Sequence, residues 1–120
     1  MKFFFDTYAI IELLNGSDNY KKFSAEKILT GILNLGELYH HYLKHREEKE
    51  GEKWCEILKP TAFNIDIDII IEAMKMKNKY EKRKLSFIDC VGYITAKRMN
   101  LLFLTGDKEF EDLPNVEFVK

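Results

Sequence analysis

The sequence predicts an α/β fold with a mostly parallel five-stranded sheet and helices on both faces, a Rossmann-like three-layer arrangement. Two observations carry this prediction. Five short runs are apolar, most of them uniformly, as strands buried on both faces are, and segments with helical spacing separate them. The crossovers between parallel strands are expected to be right-handed. The length of 120 residues fits a single domain, residues 1–120.

The first third of the chain predicts two strands and a short helix between them. Strand one is the aromatic run FFF at 3–5, and a short helix follows over 8–14. Turn-forming residues at 15–19 end that helix. Residues 20–26 predict a second short helix or a loop. The apolar run KILTGIL at 27–33, which turn-forming residues bound, predicts strand two.

The middle of the chain predicts a long helix over about 35–58. Its apolar residues keep the spacing of one helical stripe, and they are Leu35, Leu38, Tyr39, Tyr42 and Leu43. Residues 46–53 are almost all charged, so we expect either a solvated helix face or an exposed turn between two helices there, with Gly51 as the break. Pro60 ends the element.

The last half predicts three further strands and two helices. The strands are expected at 61–65, 101–104 and 116–119. Asp66 or Asp68 is expected to cap the first of the two helices. The inward residues of that helix are predicted to be Ile67, Ile70, Ile71 and Met74. The second helix is predicted over residues 87–99, and the turn at 105–107 leaves strand four.

Composition excludes several classes of protein. The 19 basic and 20 acidic residues nearly cancel, so the overall charge neither requires nor excludes a polyanionic partner. Cys55 and Cys90 lack the paired spacing of a zinc site, a redox motif or a disulfide framework. Asp6 and Glu12 interrupt any signal-peptide core, and no apolar run is long enough for a membrane span. We therefore expect a cytoplasmic protein with no membrane association.

Four acidic residues are expected at one edge of the predicted sheet. Asp6 follows strand one, Glu37 begins the helix after strand two, and Asp107 follows strand four. Asp89 lies near the start of the helix that leads into strand four, and a right-handed crossover would begin that helix at the same edge. Such acids raise one another's pKa, and a bound divalent cation relieves the repulsion. Carboxylates suit Mg²⁺ or Mn²⁺, which can assist phosphodiester hydrolysis.

Each acid also has a purely structural interpretation. Asp6, or Thr7 beside it, could cap the first helix. Glu37 could be a solvated helical glutamate, and Asp107 an ordinary turn residue in Thr-Gly-Asp. Asp89 lies three residues after Ser86, which is the spacing of a capping box.

Four motifs in order resemble the PIN domain, and among its members the small prokaryotic VapC-type ribonuclease toxins. They are Phe-Asp-Thr at 5–7, Asn-Leu-Gly-Glu-Leu at 34–38, Leu-Ser-Phe-Ile-Asp at 85–89 and Leu-Thr-Gly-Asp-Lys-Glu-Phe at 104–110. The resemblance covers essentially the whole chain. Two features depart from it: Cys90-Val91-Gly92 replaces an Ala-rich run, and the first helix is short.

The resemblance implies a Mg- or Mn-dependent endoribonuclease that acts on single-stranded or looped RNA. The implied catalytic and metal-binding residues are Asp6, Glu37, Asp89 and Asp107, with Thr7 and Thr105 as supporting hydroxyls. It also implies a homodimer and an inhibitory antitoxin partner. A PIN-like module with little or no catalysis, serving as an RNA- or protein-binding scaffold, is the alternative. A flavodoxin-like phosphoacceptor domain is disfavoured, since the chain lacks paired acids near its start and a lysine after the last strand.

Cations near these acids are candidate RNA contacts. The segment 75–84 is strongly basic, and Arg83 and Lys84 lie nearest Asp89 in sequence. Lys108 follows Asp107 directly. A solvated helix end, with cations favoured by the helix dipole, is the alternative for the basic segment. The three histidines are interpreted as helix-surface residues, because an oxygen-rich metal site does not need imidazole; they are His40, His41 and His45.

Overall fold

The computed structural model describes residues 2–120 and contains the five predicted strands, all paired in parallel. They are β1 (Phe3–Phe5), β2 (Thr30–Gly31), β3 (Ala62–Phe63), β4 (Leu102–Thr105) and β5 (Val116–Phe118). One sheet has the order β1-β4-β5, and β2 pairs with β3. A parallel bridge between Phe4 and Leu29 joins the two groups, which gives the order β3-β2-β1-β4-β5. The predicted parallel α/β fold is therefore confirmed.

Helices cover both faces of this sheet. They are α1 (Thr7–Leu14), α2 (Ile32–Lys44), α3 (Glu48–Leu58), α4 (Ile67–Lys79) and α5 (Phe87–Arg98). Short 3-10 turns lie at Asp18–Phe23, Lys59–Thr61 and Lys108–Phe110. Strand two is shorter than predicted, because the apolar residues after Gly31 begin α2. None of the helices in residues 2–120 is both long enough and apolar enough to cross a membrane.

Alternate strand residues build a separate core on each face. Phe4 and Phe103 are fully buried on the face covered by α4 and α5, where their rings stack at a centroid distance of 5.8 Å. Phe5 and Leu104 point to the opposite face, which α1, α2 and α3 cover. Because neighbouring strand residues alternate between faces, all four of these large side chains are buried. The central strands β1 and β4 are thus fixed from both sides.

The segment predicted as one long helix is two helices joined by a turn, which was one of the two interpretations of its charged part, but the predicted break at Gly51 is wrong. The chain turns at residues 45–47, where Arg46 adopts a left-handed φ of 58°. Gly51 lies buried inside α3 instead. A Cβ there would lie 3.0 Å from Tyr42 Cβ and 3.1 Å from Tyr39 Cδ1, so the glycine allows α3 to approach α2 closely. The glycine therefore serves helix packing and does not interrupt the helix.

The predicted inward face of α4 is also wrong. Ile67, Ile71 and Met74 are 64%, 47% and 39% exposed. The buried residues are Ile69, Ala73 and Met76, which pack in the α4–α5 core. The helix carries two apolar stripes, and apolar character alone did not show which one contacts α5. Of the two predicted caps, Asp66 is the one used: its Oδ1 accepts a hydrogen bond from Ile69 N at 3.0 Å.

Candidate active site

The four predicted acids line one cleft of about 570 Å³ at the carboxyl edge of β1 and β4. They are Asp6, Glu37, Asp89 and Asp107. Their elements are far apart in sequence, and the parallel strand order brings them together. We call this site the acidic cleft. It lies where ligands bind in open α/β sheets, beyond the carboxyl ends of the strands.

Asp6 is the most deeply placed of these acids, with 4% of its surface exposed. It directly follows β1 and is the N-cap of α1, so of the two candidate caps, Asp6 and Thr7, the structure uses Asp6. Its Oδ1 accepts a hydrogen bond from Thr7 N at 2.9 Å, and its Oδ2 accepts one from Thr105 Oγ1 at 2.8 Å. Capping and a functional role are compatible, because a carboxylate oxygen accepts more than one hydrogen bond.

The electrostatic environment raises the pKa of Asp6 to about 7. Burial is the largest cause, and the negative charges of Asp89 and Glu37 add to it. The hydrogen bonds from Thr105 and Thr7 act in the opposite direction. A cation in the cleft would offset the repulsion that disfavours ionised Asp6.

Glu37 is oriented by a buried hydrogen-bond relay. Asn34, 2% exposed, donates from Nδ2 to Thr7 Oγ1 at 3.0 Å. Thr7 Oγ1 in turn donates to Glu37 Oε1 at 2.6 Å. Because the Thr7 hydroxyl already accepts from Asn34, its proton is directed at the carboxylate. Burial is the main cause that raises the pKa of Glu37, and the hydrogen bond from Thr7 opposes it.

Asp89 forms the predicted capping box and also lines the cleft. Its N–H donates to Ser86 Oγ at 3.0 Å, and its Oδ2 accepts from Ser86 N at 2.8 Å. Burial raises its pKa, while the Ser86 bonds and the charge of Lys77 oppose that rise. The predicted capping box is therefore confirmed, and it leaves Asp89 among the residues that line the cleft.

Asp107 lies in a tight loop that leaves β4. Its N–H donates to Thr105 Oγ1 at 3.1 Å, and its Oδ1 caps the turn at Lys108–Phe110 by accepting from Glu109 N at 3.0 Å. Gly106 precedes it, and a Cβ at that position would lie 2.3 Å from a Tyr8 ring carbon and 2.5 Å from Val119 O. Only glycine fits there, so the close passage of the chain sets the position of Asp107.

The donor set of the cleft fits a hydrated hard cation. All four predicted ligands offer carboxylate oxygens, which Mg²⁺ and Mn²⁺ prefer. Within residues 2–120, no group of three or more His, Cys, Asp or Glu side chains is arranged to hold a metal ion directly. Mg²⁺ keeps several waters and requires only one or two direct carboxylates, so a water-mediated site agrees with this spacing.

The predicted RNA-contacting cations are only partly brought to the cleft. Lys108 lines it, whereas Arg83 and Lys84 do not. The guanidinium of Arg83 donates to both carboxylate oxygens of Asp112, at 2.7 and 3.0 Å, and to Glu109 O at 2.8 Å. Arg83 therefore fastens the loop that carries Asp107.

Several cleft residues were not assigned to a site from the sequence. His40, His41 and Lys44 line the cleft together with Lys120. The signal for the first three was present, because they follow Glu37 at i+3, i+4 and i+7 and so share its face of α2. His45, which follows α2, does not line the cleft. Burial lowers the pKa of His41, and the positive charges of His45 and Lys44 add to this effect.

The sequence matches a protein family along nearly its full length. Residues 3–116 match the PIN domain. The search of curated proteins returned no match.

Solved structures share the fold at low sequence identity. VapC20 from Mycobacterium tuberculosis, described as a sarcin–ricin loop cleaving toxin, has a TM-score of 0.82 at 18% identity, covering 99% of this chain and 100% of that chain. A toxin–antitoxin complex from Klebsiella pneumoniae gives 0.76 at 21% identity, over 98% and 96%. VapBC-1 from nontypeable Haemophilus influenzae gives 0.71 at 18% identity, over 98% and 96%. These likenesses show a shared fold, and the match over residues 3–116 shows that the chain belongs to the PIN domain family.

Proposed function

We propose that this protein is a Mg²⁺- or Mn²⁺-dependent endoribonuclease and the toxin of a toxin–antitoxin pair. The observation that carries the proposal is the convergence of four carboxylates on one cleft around the buried Asp6. A domain that only bound a partner would gain nothing from this repulsion. A cation-dependent hydrolase uses it, because the metal site forms only where anionic ligands are gathered.

In the proposed reaction, the carboxylates of the cleft would bind the cation and two hydroxyls would orient them. Asp6, Glu37, Asp89 and Asp107 would hold the cation directly or through its waters. A bound cation would supply Lewis-acid activation of water and charge stabilisation at the phosphate. The hydroxyls of Thr7 and Thr105 hold Glu37 and Asp6 in place by the hydrogen bonds described above. Each hydroxyl would keep its carboxylate oriented during the reaction.

The test is cleavage of single-stranded RNA with Mg²⁺ or Mn²⁺, with and without EDTA. We expect chelation to stop cleavage and Asp6→Asn to reduce its rate by about a thousandfold or more. Asp68→Asn is the matched control, because Asp68 is exposed on α4 outside the cleft. Metal-dependent cleavage at the normal rate by folded Asp6→Asn protein would refute the proposal.

Partners and assembly belong to the same proposal. Structures named as VapBC or toxin–antitoxin complexes are among those that share the fold, which supports an antitoxin partner for this chain. The exposed stripe of Ile67, Ile71 and Met74 supports a homodimer, since exposed apolar patches mark interaction surfaces. We also infer a single domain of residues 1–120 acting in the cytoplasm. Light scattering of the purified protein tests the homodimer. The same measurement with the product of a neighbouring short reading frame added tests the antitoxin complex.

A further inference from the structure

The acidic cleft has a side wall of different chemistry on α2. His40, His41 and Lys44 line the cleft beyond Glu37, on the same helical face. From Glu37 to Lys44 the helix rises about 10 Å, so the wall leads away from the acids. We call these three residues the α2 wall. On the other side, Lys108 and Lys120 line the cleft.

The α2 wall has few partners within the protein. Among residues 2–120, no ion pair involves Lys44, and no side-chain hydrogen bond involves the ring of His40. The His41 ring lies 4.4 Å from the His45 ring and 5.4 Å from the Tyr42 ring, measured between centroids. The nitrogen donors of the wall thus remain available to a ligand in the cleft.

A polyanionic strand needs such donors next to the acids. The carboxylates can bind an RNA phosphate only through a bridging cation, and they repel the other phosphates nearby. Those neighbours must therefore meet donors or positive charge where the acids end. The α2 wall supplies both directly outside Glu37.

We propose that His40, His41 and Lys44 form a phosphate-binding subsite for the single-stranded RNA next to the cleaved bond. This inference rests on the proposed ribonuclease function. Lys44 contributes a charge that releases counterions from the RNA, and the histidines contribute hydrogen bonds. The three residues position the strand and have no role at the reacting atoms.

Salt dependence of RNA binding tests the subsite. An Asp6→Asn background prevents cleavage, and fluorescence anisotropy then measures the affinity for a labelled short oligouridine in Mg²⁺ at pH 8. Between 50 and 200 mM salt, we expect Lys44→Gln to reduce the slope of log K against log salt by about 0.7. We expect the double variant His40→Ala/His41→Ala to lose affinity severalfold, because it removes two side chains that donate hydrogen bonds to the phosphates.

Lys49→Gln is the matched control, since Lys49 is exposed on α3 and does not line the cleft. The subsite would be overturned if the background protein bound RNA but Lys44→Gln and Lys49→Gln gave equal salt slopes and the histidine variant kept its affinity. That result would leave the proposed function standing. If the background protein bound no RNA, both the subsite and the proposed function would fail. Melting temperatures of all variants show whether each still folds.

Discussion

Two buried threonines, Thr7 and Thr105, make the same pair of hydrogen bonds on opposite sides of the acidic cleft. Each hydroxyl accepts one N–H and donates to a carboxylate. The partners differ, however. Thr7 joins two side chains of the rigid helix α2, Asn34 and Glu37. Thr105 joins a loop amide, that of Asp107, to the carboxylate of Asp6.

This difference shows how each side of the cleft is kept in position. On the Thr7 side, helical geometry fixes the spacing of Asn34 and Glu37. On the Thr105 side, the loop depends on contacts with distant residues, including the bonds from Arg83 to Asp112 and Glu109 O. Substitutions on the two sides should therefore have different effects on stability and cleavage. The largest effect is expected at Asp6, whose carboxylate accepts the hydrogen bond from Thr105.

Asp6→Asn should remove most of the pH dependence of stability measured in EDTA. The folded-state pKa of Asp6, about 7, lies above its unfolded value, so the native state binds the additional proton. The contribution of Asp6 to stability is therefore greatest below about pH 4 and falls as the pH rises from about 4 to 8, by up to about 4 kcal/mol. The raised pKa values of Glu37 and Asp89 act in the same direction. Urea unfolding across this range measures the effect.

Asp68→Asn serves as the control, and its stability should have the same pH dependence as that of the wild-type protein. Adding Mn²⁺ at pH 8 should raise the stability of the original protein, because a ligand that binds only the native state stabilises it. Asp6→Asn should gain much less. Parallel pH profiles for the original and Asp6→Asn proteins would contradict the assigned environment of Asp6.

Thr105→Val and Thr7→Val should each lower cleavage by about 10- to 100-fold, with different signatures. Thr105→Val removes a bond that favours ionised Asp6, so the pH midpoint of the stability profile should rise by about one unit. Thr7→Val keeps the backbone bond to Asp6 but leaves Asn34 without its acceptor and Glu37 without its donor. It should lower stability by about 1–3 kcal/mol with little change in that midpoint. Identical midpoint shifts would show that the two threonines do not act on different acids.

Weakening the loop side from a distance should have a smaller effect. Arg83→Met removes the bonds to Asp112 and Glu109 O that hold the turn after Asp107. We expect faster hydrogen exchange of the amides at 107–111 and about tenfold slower cleavage. Arg98→Met is the matched control, since Arg98 pairs with Glu72 between α5 and α4, outside the cleft. If both variants exchanged alike at 107–111, the Arg83 contacts would not hold the loop.

The same division explains what could be predicted from the sequence. The parallel sheet and the gathering of Asp6, Glu37, Asp89 and Asp107 at one edge were predicted from mostly apolar strands and right-handed crossovers. Sequence position could not show that Arg83 turns toward Asp112, because that contact spans 29 residues and depends on how the loop packs.

The two wrong predictions about helices have a similar cause. Gly51 suggested a break, but it serves the contact of α3 with the tyrosines of α2. On α4, the buried stripe contains Ala73, which is fully buried in the core shared with α5, whereas the more apolar stripe of Ile67, Ile71 and Met74 is exposed. Local pattern identifies an amphipathic helix, but it does not identify the neighbour that the helix contacts.

The smallest effects are expected from substitutions of Lys108 and Lys84, which were both interpreted from the sequence as RNA contacts. Lys108 lines the cleft beside Asp107, whereas Lys84 does not line it. In the Asp6→Asn background, Lys108→Gln should therefore reduce the salt slope of RNA binding by about 0.7, and Lys84→Gln by less. Anisotropy titrations over the salt range used for the α2 wall measure both variants. A larger decrease of the salt slope with Lys84→Gln than with Lys108→Gln would contradict this expectation. It would mean that the RNA leaves the cleft across the basic segment 75–84.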